Sequence, residues 1–399
     1  MDGVIQCEGA FMKAWMWGIL PLGLMALLLF IFFSFGPLGV FQTNFPPVEE
    51  LTIERAILPR ANEIILHVTN GGPAPVTVAQ VIVDDALWQF SMNKSETTIS
   101  RLGTRRIVIP YPWVEGEAHE ITLLTATGLT FSHEIAVATT SPKPDWATLS
   151  TFTLLGVYAG VIPVLLGLLF YPFLRTLEQK WVNFFLCLTL GLLAFLMIDT
   201  LEEAFKTASK VAGAYQGLSL VSFGIAISWL GLSFLSNNNP TRCDKTTASG
   251  RSWIAFVIAL GIGLHNLGEG LAIGSAYAIG EISLGAFLVV GFTLHNLTEG
   301  LGIVAPIAQD RPPLKNLVLY GAIAGVPTIL GTWIGGFTYG PIWITLFFAL
   351  GAGAIAQVLY EVSRVVSSSE GESWATRHNI GGFLSGLAIM YVTGILVVT

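Results

Sequence analysis

Charge is scarce in this sequence. Only 11% of its 399 residues are Asp, Glu, Lys or Arg, against 53% hydrophobic, whereas about a quarter of a soluble globular chain is charged. With a mean hydropathy of +0.69, this excludes an ordinary water-soluble domain. The apolar runs must cross a bilayer as helices, which satisfy their own backbone hydrogen bonds. Basic clusters are lacking too: 19 Lys and Arg against 26 Asp and Glu leave a net charge of −7 and no patch for nucleic acid. Cysteine is almost missing. Cys7, Cys187 and Cys243 form no CxxC pair and no disulfide framework. The chain contains no Walker phosphate loop and no HExxH, which argues against ATP-driven pumping and the familiar zinc-protease signature.

What is present falls into regions of different character. Residues 1–14 read as a short cytoplasmic tail. The apolar run that follows is assigned to 15–37 as an N-terminal membrane anchor. Its flank carries only Lys13 against Asp2 and Glu8, and it ends without a small-residue cleavage site, so a retained helix is expected rather than a removed signal peptide. From 45 to 144 the sequence changes to short alternating or β-branched segments at 51–58, 63–68, 76–83, 106–109, 120–125 and 130–138. Turn signals such as Thr69-Asn70-Gly71-Gly72-Pro73 separate them. That pattern predicts an extracytoplasmic β-sandwich of immunoglobulin-like type. Ser141-Pro142-Lys143-Pro144 then serves as a linker. His67, His119 and His133 lie in this region without a ligand spacing.

Residues 148–399 form a polytopic α-helical membrane domain. Eight apolar spans are predicted at 148–174, 182–204, 212–236, 252–276, 281–307, 316–337, 341–363 and 379–398. Alternate short loops hold Arg175, Lys180, Arg242, Lys245, Arg251, Arg311, Lys315, Arg364 and Arg377, while the opposite loops hold only Lys206 and Lys210, a bias of nine to two. Because positive loops stay in the cytoplasm, the β module and the C-terminus are expected on the outer side.

The fourth and fifth spans repeat one another. The stretch from Gly263 through His265-Asn266-Leu267-Gly268-Glu269-Gly270 aligns with that from Thr293 through His295-Asn296-Leu297-Thr298-Glu299-Gly300, matching at eight of twelve positions. On a helix, residues three and four apart share a face, so each motif aims an imidazole, an amide oxygen and a carboxylate at one spot near mid-bilayer. Two such faces offer up to six N and O ligands, a mixture suited to zinc, iron(II), manganese(II) or cadmium. A bare carboxylate at a helix centre costs about 2.5–3.5 kcal/mol or more, and a divalent cation removes that cost by neutralising it. A lone intramembrane His is usually a satisfied structural group; a repeated His-Asn-x-x-Glu is too expensive for packing alone.

This paired motif resembles the ZIP (Zrt/Irt-like) family of metal-ion transporters, over residue 148 to the end. The resemblance implies an eight-helix bundle with inverted-repeat symmetry, divalent-cation uptake toward the cytoplasm, and frequent dimerisation. It carries the transport-site roles onto His265, Asn266, Glu269, His295, Asn296 and Glu299. Less closely, the stretch Asp199-Thr200-Leu201-Glu202-Glu203 resembles a second-span motif, making Asp199 and Glu203 candidates for collecting ions at the outer mouth. Glu361 in the seventh span is a candidate for the cytoplasmic exit. Val326-Pro327 stands where many members carry Glu-Pro, which puts a complete two-metal centre in doubt. The loop at 237–250 is short and has no His.

The resulting expectation is a multi-pass protein of a prokaryotic cell (inner) membrane. Its partners are divalent metal ions, the lipid bilayer and a second copy in a homodimer. The metal, zinc foremost, is substrate rather than cofactor. Two competing readings are an intramembrane metal-dependent hydrolase, which needs an open coordination position and a general base, and a metal sensor without flux.

Overall fold

A computed structural model of the chain describes residues 19–31, 48–92, 96–237, 247–278, 282–337, 340–367 and 375–398. It divides into two units, Met1–Val48 and Glu49–Thr399. In the first, the helix α1 (Ile19–Ile31) exposes its Leu, Ile and Phe side chains. It lies within the stretch 15–37, where an anchor is expected. The tail expected at 1–14 lies outside the described residues.

The second unit begins with nine strands: β1 (Leu51–Arg60), β2 (Glu63–Asn70), β3 (Val76–Val83), β4 (Ala86–Trp88), β5 (Ser91–Met92), β6 (Thr98–Ile99), β7 (Thr104–Ile109), β8 (His119–Thr125) and β9 (Thr130–Ile135). One antiparallel sheet runs β1-β2-β7-β5; the other runs β4-β3-β8-β9, with β6 beside β3. Both feed one apolar core containing Leu66, Val68, Val81, Ile107, Ile121 and Leu123. Along β3 the buried positions are Val76 and Val78, then Val81 and Val83. An irregularity between Val78 and Gln80 inserts the extra residue that keeps both pairs facing inward. β4, β5 and β6 are two or three residues long, too short for an alternating pattern to register in sequence. Two of the module's histidines have structural surroundings. His119 Nδ1 meets Asp84 Oδ2 at 2.7 Å, and burial together with Arg55 and Arg106 lowers the His67 pKa to about 4.

The membrane region opens with α2 (Trp146–Gly156), which passes through a π-helical turn (Val157–Val161) into α3 (Ile162–Leu168) and a short α4 (Tyr171–Leu174). Asp145 caps α2 by accepting Thr148 N–H at 2.8 Å, the usual use of Asp at a helix start. The remaining helices are α5 (Gln179–Ala208), α6 (Gly217–Asn237), α7 (Ala248–Ala278), α8 (Ile282–Val304), α9 (Leu314–Phe337), α10 (Pro341–Ser367) and α11 (Arg377–Val398). Among the described residues, seven stretches are long and apolar enough to cross a membrane, from Trp146–Leu174 through Pro341–Ser367. α11, 22 residues long, occupies the place of the last predicted span.

Close backbone approach fixes the helices that carry the motifs. A Cβ on Gly270 would strike the Thr328 carbonyl oxygen of α9, and one on Gly300 would strike that of Val164 in α3. These are the glycines that end the two motifs, and each lets a neighbouring backbone pack directly against the motif helix. Position four of the motif differs: a Cβ on Gly268 would meet only the Phe348 ring, at 3.4 Å. Thr298 fits at the corresponding place in α8 and donates to His295 O at 2.5 Å.

Candidate metal centre

Both motifs lie in buried stretches of α7 and α8. His265, Asn266, Glu269, His295, Asn296 and Glu299 are all at most 5% exposed, so every polar atom among them needs a partner or carries a desolvation cost. Glu269 is the hub. Its Oε1 lies 3.0 Å from His265 Nε2 and also bonds His295 Nε2, while its Oε2 accepts Asn296 Nδ2 at 3.0 Å. One nitrogen from each imidazole and one Glu269 oxygen lie within 4.8 Å of one another, close enough for a single cation to touch all three.

The surrounding residues set the direction of each donor. Thr200 Oγ1 of α5 sits 3.4 Å from His265 Nδ1, on the side of the ring away from Glu269. Such a contact to the outer nitrogen orients a ligating imidazole. Asn296 Nδ2 also donates to Ala159 O, at 2.9 Å, inside the π-helical turn. Pro163 has no N–H to return to that carbonyl four residues earlier, which leaves Ala159 O available. In α9, interrupted by Pro327, Ala324 O accepts Asn266 Nδ2 at 3.1 Å. With both amide nitrogens pinned, Asn266 Oδ1 and Asn296 Oδ1 are left without hydrogen-bond partners, as are both carboxylate oxygens of Glu299. Four buried oxygens without donors form an environment that a cation satisfies and an apolar core does not.

A cavity of about 440 Å³ connects His265, Glu269 and His295 with Asp199, Glu203 and Lys210. It therefore runs toward the end of α5 that faces the β module. On the opposite side of the ligands, Ile258, Ile262, Ile303 and Val358 belong to a continuous apolar core.

The six motif residues are thus distributed unequally. His265, Glu269 and His295 converge, Asn296 touches Glu269, and Asn266 and Glu299 flank them. Asp199 and Glu203 line the shared cavity, where Lys206 pairs with both Glu202 and Glu203 at 2.9 Å. Glu361 lies apart from it, buried, accepting Ser236 Oγ at 2.7 Å and Gln357 Nε2 at 3.3 Å. Val326 is 40% exposed, whereas its neighbour Thr328 is fully buried with an unpartnered hydroxyl. Thr200, Ala159 and Ala324 were not singled out in the sequence reading. The signal for the last two was available: Pro163 and Pro327 interrupt apolar helices in the first and sixth spans, and breaks at matching places in two halves point to a transport site.

Fold and site together describe a multi-pass membrane protein with a buried cluster of two imidazoles and a carboxylate that could hold a cation. Residues 231–394 match the model of the ZIP Zinc transporter family. That family is one of zinc transporters, in which the metal is substrate. Among curated proteins, no sequence matches this chain.

Proposed function

We propose that this protein moves a divalent cation, zinc first and iron, manganese or cadmium after it, toward the cytoplasm through His265, Glu269 and His295. The observation that carries this reading is the sharing of one Glu269 oxygen by two buried imidazoles, a ready-made N,N,O donor set. Asn266 and Asn296 add weaker oxygen donors, useful where an ion must also leave. Glu299 adds the second carboxylate, so one divalent ion neutralises the pair. Asp199 and Glu203 collect ions in the cavity, and Glu361 serves the far side.

The architecture proposed is an eight-span bundle with α11 as its last member, preceded by the anchor at 15–37. The β module and C-terminus lie outside a cell (inner) membrane, as the nine-to-two charge bias favours. A homodimer is the proposed assembly. Transport proceeds down the metal gradient by exposing the site alternately to each side.

Purified protein in liposomes containing a zinc-sensitive dye tests the reading. Zinc should enter at a rate that saturates, cadmium, iron and manganese should compete, and Glu269→Gln should abolish entry. Tight zinc binding with no entry, or competition by sodium alone, would reject it.

A further inference from the structure

The β module has no counterpart in the transport motif, yet it meets the membrane region at the rim of the cation cavity. The chain between α5 and α6 folds tightly there. Tyr215 N–H donates to Ala212 O at 2.9 Å and Gln216 N–H to Gly213 O at 3.0 Å. Gln216 is left-handed, at φ 47°. Lys210, which lines the cavity, opens this turn, and Val211 and Ala212 are buried. Glu50, just before β1, reaches across to it: its Oε1 accepts Gly213 N–H at 2.6 Å.

Glu50 is itself held from the other side. Its carbonyl accepts Gly71 N–H at 2.9 Å. The turn carrying Gly71 is fixed by fully buried Asn70, which donates to Ala74 O at 2.8 Å and Ile99 O at 2.9 Å and accepts from Gly72 N–H at 2.9 Å. A side chain at Gly71 or Gly213 would displace the Glu50 carboxylate. A Cβ on Gly71 would lie 2.9 Å from Glu50 Oε1 and 3.1 Å from the Ala212 Cβ, and one on Gly213 would lie 2.9 Å from both Glu50 oxygens. His133 of β9 also stands near Lys210: burial first, and then the Lys210 charge, lower its pKa.

We propose that the β module is a fixed brace for the mouth of the cation cavity, with Glu50 as its positioning residue. Glu50 holds the α5–α6 turn, and the turn sets where Lys210 and the cavity-facing end of α5, with Asp199, Thr200 and Glu203, stand relative to the ligands. A charged acceptor on a backbone N–H is among the stronger hydrogen bonds, and each of its ends is held by further backbone hydrogen bonds. Glu50 touches neither ion nor ligand; it acts through α5. The uptake readout rests on the transport reading above, and the labelling readout below does not.

Full-length protein in liposomes provides the test. Glu50→Ala should raise the KM for zinc about fivefold and leave the maximal rate within about twofold, with Glu50→Gln close to native because it keeps the acceptor. An unchanged KM in Glu50→Ala, with only less folded protein, would overturn the brace. A background without Cys7, Cys187 and Cys243 serves for the labelling readout. Should native protein carry no zinc at all, the transport reading fails alone. Labelling of Lys210→Cys by an impermeant thiol reagent still decides the brace: Glu50→Ala should change its rate about fivefold, and an unchanged rate contradicts it.

Discussion

The two motifs are nearly identical in sequence and differ in what surrounds them. In α7, Glu269 gathers His265, His295 and Asn296 around its two oxygens. In α8, the equivalent Glu299 is just as buried and has no hydrogen-bond partner. Their asparagines differ in the same sense. Asn296 is shared between Ala159 O and Glu269, whereas Asn266 is spent on Ala324 O. A repeated sequence has therefore produced two unequal halves: one preorganised N,N,O cluster and one set of unsatisfied oxygens beside it. On the function proposed above, equal letters take different tasks, with Glu269 fixing the ion and Glu299 supplying its balancing charge.

Substitutions that treat the halves alike can break or sharpen this distinction. Glu269→Gln should have the largest effect, lowering zinc affinity by about a hundredfold or more, because it removes the negative charge of the carboxylate that both imidazoles approach. Affinity here is read by competition with a chromogenic chelator in detergent. Glu299→Gln should lower affinity about tenfold, as loss of a balancing charge rather than of the hub. Equal losses in the two variants would erase the distinction. Asn296→Leu should also cost several-fold, and more than Asn266→Leu, since only the former loosens Glu269. Thr200→Val should weaken binding about threefold and Thr200→Ser should restore it, as expected for a residue that orients His265. Gly268→Ala should be smallest, within about twofold in affinity and with normal yield, because its Cβ meets only a ring edge. Gly270→Ala, in contrast, drives a methyl into the Thr328 carbonyl and should fail in yield.

Much of this was legible in the sequence because membranes leave few alternatives. A 3.6-residue helix puts His265 beside Glu269 and a run of apolar residues must be helical, so the spans and the shared face of each motif follow from spacing. Some observed helices start before the predicted spans, as after the caps Asp145 and Thr247, while α6 and α8 are shorter than predicted at one or both ends. The inequality between Glu269 and Glu299 was not legible. It depends on which carbonyls reach Asn266 and Asn296, and those come from α9 and the π-helical turn, far away in sequence. Val326 shows the same limit: its place beside Pro327 suggests a missing ligand, but its exposure is fixed by the rotation of α9. In the β module, long strands such as β2 and β8 announce themselves by alternation, while β4 to β6 exist only through pairing with β3 and β7.

The central claim is that one ion sits between α7 and α8, held by both imidazoles and by Glu269. X-ray absorption at the zinc edge, on purified protein loaded with one equivalent of zinc, addresses it most directly. Two imidazole nitrogens at about 2.0 Å with carboxylate oxygen in the same shell are predicted, and His295→Ala should remove one of the two imidazoles. A spectrum with a purely oxygen shell, or one that His265→Ala and His295→Ala both leave unchanged, would contradict the account.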